Sequence, residues 1–529
     1  MMKNIYEVLY RVCLENGART FFVRQGETYA DLLSNVKKRA VLLANKFGIK
    51  KGDTVAILSG NTPQFINSYF AVLSQGAKVL MLDTGLSSDE HLNMMRHTKC
   101  DLLLAQKSYF IKGGPKTFDI ETLDSTDERD FVAADVGPGD MAMLSFTSGS
   151  TGNPKIVGLT HSNLVAIGDG AKVYKVIIKP GDTIYGFLPL YHIYGVAINI
   201  IAPLVLNAKL LLQPILNPKE FLKDFKQYKP EVVPGVPRIW EGFYKKIIDG
   251  AKEKKKYAAM RIILATRRFW RAVGMGWLVK KVTDPVHDVF GGNVRVLVSA
   301  GAKLKPTIRN FFERLGFTVA DCYGMTETGG SGSINFDYVT PDGKMKSYAG
   351  SLPGNEIKIH NPDKKGVGEV WLRGTAVMSG YVGNDVANVE AFEDGWLKTG
   401  DLGVIDSKNR LTIKGRQKQV IVLDTGKNVY PDELEDLYLQ NDDILAAAVL
   451  ERVIRGKTVA YGVFQVKPGT TRARVSLLLK ASNLKIAPYK WVSHFAITEE
   501  ELPQTSTRKI KHFEIAAMLD RGEFPTREE

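Results

Sequence analysis

The segment Thr147-Ser148-Gly149-Ser150-Thr151-Gly152-Asn153-Pro154-Lys155 packs hydroxyls, two glycines and a closing cation into one short stretch. Glycines let the backbone turn and bring N–H groups close to an anion, hydroxyls add neutral donors, and a lysine supplies a point charge. That is the chemistry of a polyphosphate grip. The same composition also makes a solvated loop with no ligand. The Walker pattern requires Gly-Lys-Ser/Thr together, whereas here Pro154 precedes the lysine and Ile156 follows it. A nucleotide held by this loop is therefore held outside the P-loop fold.

Four further segments carry usable groups. Asp321-Cys322-Tyr323-Gly324-Met325-Thr326-Glu327-Thr328 offers an aromatic face for a base, a hydroxyl, and a carboxylate suited to Mg²⁺ beside phosphates. Trp396-Leu397-Lys398-Thr399-Gly400-Asp401-Leu402-Gly403 sets a carboxylate in a tight turn, a usual way of accepting hydrogen bonds from ribose hydroxyls. Arg416 stands alone near a proposed hinge, and Lys509 lies in the hydroxyl-rich run Gln504-Thr505-Ser506-Thr507-Arg508-Lys509. Each residue also has a purely structural reading: Tyr323 as a core aromatic, Glu327 as a cap, Asp401 as a turn former, Lys509 as a solvated charge.

Such groups need strand ends and turns to hold them. Thr54 to Leu58 reads as a strand, Pro63 to Gln75 as a helix and Lys78 to Leu82 as another strand, which is βαβ grammar and implies a mostly parallel sheet. The pattern returns with strand Met141 to Phe146, helix Ser162 to Val173 and strand Thr183 to Leu188, and again with strand Val294 to Ser299, helix Lys305 to Leu315 and strand Phe317 to Cys322. Both the 147–155 loop and the Tyr323 segment then sit just past strand C-terminal ends, where open α/β sheets bind ligands. From about residue 353 to 415, short strands with frequent Gly, Asp and Asn turns predict a β-rich subdomain. The expected organisation is an α/β N-terminal domain over 1–415, of parallel-sheet subdomains plus this β-rich part. A small mobile α+β domain follows over 416–529, with the hinge near Gly415 to Lys418.

Composition frames the setting. The chain has 529 residues, 44% hydrophobic and 24% charged, which describes a folded multidomain protein. Three widely spaced cysteines (Cys13, Cys100, Cys322) form neither a disulfide framework nor a metal set, and the N-terminus lacks the apolar core of a secretory signal. The expected location is cytoplasmic. Tyr194 to Leu212 is apolar but interrupted by Asn199, Pro203, Asn207 and Lys209, which predicts a buried helix followed by a buried strand rather than a bilayer span.

The net charge is +14, and its densest run lies between Lys245 and Lys281. Met260, Ile263, Leu264, Phe269, Trp270, Val273, Trp277 and Leu278 are interleaved there with cations, as in a pair of basic amphipathic helices. The readings are a solvated surface helix, or peripheral contact with an anionic membrane at its inner face. No nucleic-acid motif accompanies the charge, so no specific nucleic acid is expected.

Taken together and in order, the five segments resemble, nearly letter for letter, the core motifs of the acyl-adenylate-forming superfamily of AMP-binding enzymes. The resemblance runs from about residue 20 to the end. It implies that Thr147, Ser148, Gly149, Ser150, Thr151, Gly152 and Lys155 wrap the β- and γ-phosphates of ATP. Gly301 and Ala302, in Ser299-Ala300-Gly301-Ala302, with Asp321, Tyr323 and Gly324, would hold the adenine. Thr326 would contact the α-phosphate, Glu327 the Mg²⁺, and Asp401 and Arg416 the ribose. Lys509 would bridge the substrate carboxylate and α-phosphate as pyrophosphate leaves. His192, in Pro189-Leu190-Tyr191-His192-Ile193-Tyr194-Gly195, matches the family position near the substrate carboxylate, its alternative being a satisfied core histidine. Lys418 occupies the hinge position, and the Gly426-Lys427-Asn428 turn would lie near the pantetheine entry of coenzyme A.

Two stretches narrow the resemblance. Ile421 to Pro431 and Val233 to Glu241, the latter followed by the basic helical insertion, look like long-chain fatty acyl-CoA synthetases. The implied activity is ATP-dependent activation of a fatty acid and transfer to coenzyme A. Aryl or medium-chain acids, a carrier-protein acceptor, or a non-catalytic basic protein on the same scaffold are the alternatives. Ile156 stands where the family usually has Gly, and Arg508 where many members have Gly before the lysine.

Overall fold

The structure is a computed structural model that describes residues 2–122, 127–147, 155–214, 218–340, 342, 344–504 and 510–524. They form two compact units: residues 2–147, 155–357 and 372–390 make the first, residues 358–371 and 391–524 the second.

The first unit contains two sheets. The seven-stranded sheet runs Gly380–Tyr381, Lys155–Thr160, Met141–Thr147, Lys78–Met81, Thr54–Leu58, Leu102–Ala105, Lys116–Asp119. Its central strands are parallel and almost wholly buried, which is why they read as unbroken apolar runs rather than alternating ones. The helix between the first two of them, Pro63–Ser74, starts on Thr62, whose side chain accepts from Phe65 N, with proline at the first helical position. Met141–Thr147 and Lys155–Thr160 pair antiparallel, Phe146 opposite Ile156 and Thr147 opposite Lys155.

The nine-stranded sheet of this unit has a parallel centre, with Val232–Gly235 paired to Val296–Ser299 and that strand to Thr318–Tyr323. It is closed on one side by antiparallel Ser333–Val339 and Met345–Ser351. The mostly parallel sheets inferred from the βαβ grammar are therefore present. The apolar stretch after His192 is a buried helix followed by the strand Lys209–Leu212, as expected. Its middle, Val196–Ile201, is wound as a π-helix, which no periodicity announced. No helix among the described residues is long and apolar enough to cross a membrane.

The basic insertion folds as four helices rather than a pair: Pro237–Glu253, Tyr257–Ala265, Arg267–Ala272 and Gly276–Val289. Lys255 at φ +55° and Gly274 at φ +75° break the run, because left-handed backbone cannot continue an α-helix.

In the second unit, Trp396–Ile405 pairs antiparallel with Leu411–Arg416 within a small β-rich sheet. Beyond it, Ile444–Ile454, Lys457–Val466 and His494–Thr498 make a three-stranded sheet packed on both faces. The two-residue period separates the cores. Ala447 and Val449 join Leu434, Tyr438 and Val475, while Ala446, Ala448 and Leu450 join Ile515 and Phe524.

Candidate active site

In the first unit the expected adenine residues gather at two neighbouring strand ends. Ser299, just before Gly301 and Ala302, pairs in register with Asp321 on the adjacent parallel strand. Strand alternation puts Cys322 on the opposite face from Asp321 and Tyr323. There its sulfur lies 3.1 Å from the Tyr174 hydroxyl, and burial pushes the thiol up to about 12. Burial also pushes the Asp321 carboxyl up to about 6, opposed by the nearby Arg309 charge and reinforced by Glu313.

The chain then turns sharply. A Cβ on Gly324 would stand 2.3 Å from Gly330 O, so the turn closes only with glycine there. This closure delivers the short 3-10 helix Thr326–Thr328, with Thr326 half-buried and Glu327 buried at 7% exposure. Glu327 is not isolated. Its Oε1 accepts from the Tyr381 hydroxyl at 3.0 Å, and its backbone carbonyl accepts from Met378 N at 2.7 Å. The Lys155 ammonium lies 4.7 Å from the centroid of the Tyr381 ring. Thus the cation closing the 147–155 loop and the expected magnesium carboxylate share one aromatic residue. Ser148, Gly149, Ser150, Thr151 and Gly152 lie outside the described residues.

Among the described residues no three metal-ligating side chains cluster. A single buried carboxylate nevertheless fits Mg²⁺ arriving with a nucleotide, since that ion takes one or two carboxylates beside phosphate oxygens and waters.

His192 sits at the start of the buried helix, half-exposed, with Nε2 3.6 Å from Asp83 Oδ2. Asp83 is itself fixed, its Oδ1 accepting from Gly85 N and its carbonyl meeting His91 Nε2 at 2.8 Å. A Cβ on Gly195 would fall 1.9 Å from Pro189 O, so only glycine allows the turn that presents this histidine.

In the second unit, Asp401 and Arg416 are cross-strand partners. Arg416 Nε meets Asp401 Oδ1 at 2.8 Å and Nη1 donates to Thr399 O at 3.2 Å. Asp401 is buried while Arg416 keeps about half its side chain exposed. Lys418 is exposed on the 3-10 turn Gln417–Gln419, and Lys427 is exposed with its ammonium 4.7 Å from the Tyr489 ring centroid. Lys509 lies outside the described residues. The segment containing it is flanked by a bridge between Gln504 and Ile510 and by Lys511 N donating to Pro503 O. Beyond it, His512 Nε2 contacts Glu435 Oε1 at 2.6 Å, and this partner lifts the imidazole above its ordinary range despite burial.

Tyr381 and Asp83 were missed by sequence reasoning. Each sits in an ordinary turn-rich stretch, Ser379-Gly380-Tyr381 or Asp83-Thr84-Gly85, and only the fold brings it to Glu327 or His192.

The architecture is an α/β fold shared with solved structures. O-succinylbenzoate CoA synthetase of Bacillus subtilis, in complex with an acyl-adenylate intermediate, superposes with TM-score 0.77 at 22% identity, covering 97% of this chain and 98% of that one. ATP-bound MatB of Rhodopseudomonas palustris gives 0.77 at 21% identity over 98% and 100%. The chain belongs to the AMP-binding enzyme family, whose model matches residues 9–382. It is 32% identical to the long-chain-fatty-acid–CoA ligase FadD15 of Mycobacterium bovis over 80% of this chain and 74% of that protein. It is 28% identical to the long-chain-fatty-acid–CoA ligase heimdall of Drosophila melanogaster, over 78% and 67%. A 4-coumarate–CoA ligase of Humulus lupulus is 26% identical over 96% and 91%.

Proposed function

We propose that this enzyme is an AMP-forming acid–CoA ligase acting on fatty acids of long chain. The observation that carries the reading is its 32% identity to a long-chain-fatty-acid–CoA ligase, above the 26% to a 4-coumarate–CoA ligase. In the first step a carboxylate oxygen of the acid attacks the α-phosphorus of ATP. The new P–O bond replaces the bond to the β-phosphate, and pyrophosphate leaves. In the second, the thiol sulfur of coenzyme A attacks the acyl carbon; the C–S bond forms, the C–O bond to AMP breaks, and the thiol proton passes to water.

The residues divide this work. Thr147 to Lys155 grips the departing phosphates, Asp321, Tyr323 and Gly324 hold the base beside Gly301 and Ala302, and Asp401 with Arg416 holds the ribose. Mg²⁺, when bound at Glu327, neutralises charge on the leaving phosphates. Thr326 donates to the α-phosphate, His192 is oriented by Asp83 toward the acid's carboxylate, and Lys509 stabilises the charge on the α-phosphate. Rotation of the small domain about Lys418 would then bring the Lys427 turn to the pantetheine thiol.

Pyrophosphate release across a panel of carboxylic acids, with and without coenzyme A, tests the reading. Release with long-chain acids and thioester only with coenzyme A is expected. Preference for aryl acids would move the substrate, release without a CoA thioester would move the acceptor, and no release with any acid would refute the enzyme reading.

A further inference from the structure

The four helices between Pro237 and Val289 take no part in the chemistry above, yet the protein's charge is concentrated along them. Residues 245–281 hold twelve lysines and arginines against two acids, most of the chain's net +14.

Burial separates the extremes among the apolar residues of these helices. Met260, Leu264, Val279 and Val286 turn inward and are buried. Ile262, Phe269, Val273 and Trp277 remain 60%, 58%, 49% and 57% exposed. Single exposed apolar residues are ordinary on a protein surface. Here four large ones fall within residues 262–277, and Val273 lies one helical turn beyond Phe269 and donates to its carbonyl, so these two share a face. Arg261, Arg268, Arg271, Lys280 and Lys281 are exposed among them. Arg267 differs from its neighbours, because its guanidinium turns back to the Glu313 carbonyl and serves the fold.

We propose that this face docks on an anionic lipid bilayer. Phe269 and Trp277 enter the boundary between headgroups and acyl chains, while Arg268, Arg271, Lys280 and Lys281 meet the lipid phosphates. Charge complementarity argues for this occupant, since each cation near an anionic membrane surface strengthens binding roughly five-fold. Exposed Trp and Phe beside clustered Arg and Lys is the composition of a helix lying in that interface. The inference rests on the fatty-acid reading for its purpose: an acid of long chain partitions into the bilayer, so an enzyme held there meets its substrate where it is concentrated.

The test is sedimentation of the full chain with phosphatidylcholine vesicles, with or without about one-third phosphatidylglycerol. Binding only to the anionic vesicles, weakening as salt is raised, is expected. Reversing four cations (R268E, R271E, K280E and K281E together) should lower it at least 100-fold, and Phe269→Ser with Trp277→Ser about ten-fold. Melting temperature and pyrophosphate release on a soluble short-chain acid should stay unchanged. Undiminished vesicle binding by the charge-reversed protein overturns the proposal, as does preference for a single-stranded oligonucleotide over the vesicles. If the parent protein binds vesicles but releases no pyrophosphate with any acid in solution, the catalytic reading falls and the docking surface stands.

Discussion

The Tyr381 hydroxyl donates to Glu327 Oε1 across 3.0 Å. Because the Lys155 ammonium faces the ring of the same tyrosine, one residue couples the cation proposed to meet the phosphates to the carboxylate proposed to meet the metal.

Tyr381→Phe keeps the ring and removes the donor. A hydrogen bond to a charged group is worth about 1.5–3 kcal/mol, so kcat/KM for MgATP should fall roughly ten-fold and the Mg²⁺ needed for half-maximal rate should rise. Pyrophosphate release titrated with Mg²⁺ checks this. Lost stability with an unaltered Mg²⁺ dependence would confine Tyr381 to folding.

Arg416→Lys retains a positive charge but loses the fork that reaches Asp401 and Thr399 together. KM for ATP should rise about ten-fold with a smaller change in kcat. Asp401→Asn should have a similar effect, and the double variant should lose less than the product of the two. Fully multiplicative losses in a double-mutant cycle would mean that the pair does not act as a unit on the nucleotide.

Lys509→Ala should abolish adenylate formation while leaving thioester synthesis from supplied acyl-adenylate nearly intact. Measuring the two half-reactions separately decides it, and equal loss of both would refute the assigned step.

Asp321 makes stability depend on pH. Its folded carboxyl is raised to about 6, so the native state binds the extra proton above the unfolded value near 3.9. The resulting stabilisation is full below about pH 4 and is lost as pH rises through about 6. Asp321→Asn should therefore gain on the order of 2 kcal/mol relative to the parent between pH 4 and pH 7.5. His161, driven down to about 4 by burial, acts in the opposite sense: its contribution is present above pH 6.5 and lost as pH falls through about 4. The difference in melting temperature between parent and variant isolates Asp321, and a pH-independent difference would refute the assignment.

The strands and helices around the site were legible where burial is complete. Thr54–Leu58 and the segments near Lys78–Met81, Val296–Ser299 and Thr318–Tyr323 are apolar runs bounded by turns, and each is found within about three residues of its expected limits. The apolar run Gln419-Val420-Ile421-Val422-Leu423 has the composition of a strand, yet it holds the end of a 3-10 turn and the two-residue strand Ile421–Val422, since short half-exposed segments have little burial to impose a period. The π-helix at Val196–Ile201 keeps the apolar composition of any buried helix and alters only its hydrogen bonding, which residue types do not encode. Motif order pointed to Glu327, Asp401 and Arg416, but the pairing of Asp401 with Arg416 comes from strand register. Tyr381 reaches Glu327 because Gly380–Tyr381 adds to the edge of Lys155–Thr160, a long-range event with no local sequence sign.

Thr147 and Lys155 face each other across a strand ladder, with Phe146 opposite Ile156 behind them. The ends of the intervening stretch are held by pairing and by packing of Ile156 against the neighbouring core, whatever occupies the stretch itself. Closing a loop costs only about 0.6 kcal/mol more for each doubling of its length. Changes of length between residues 148 and 154 should therefore cost folding little, whereas Ile156, which stands where the family usually has glycine, ties the strand that follows them to the core.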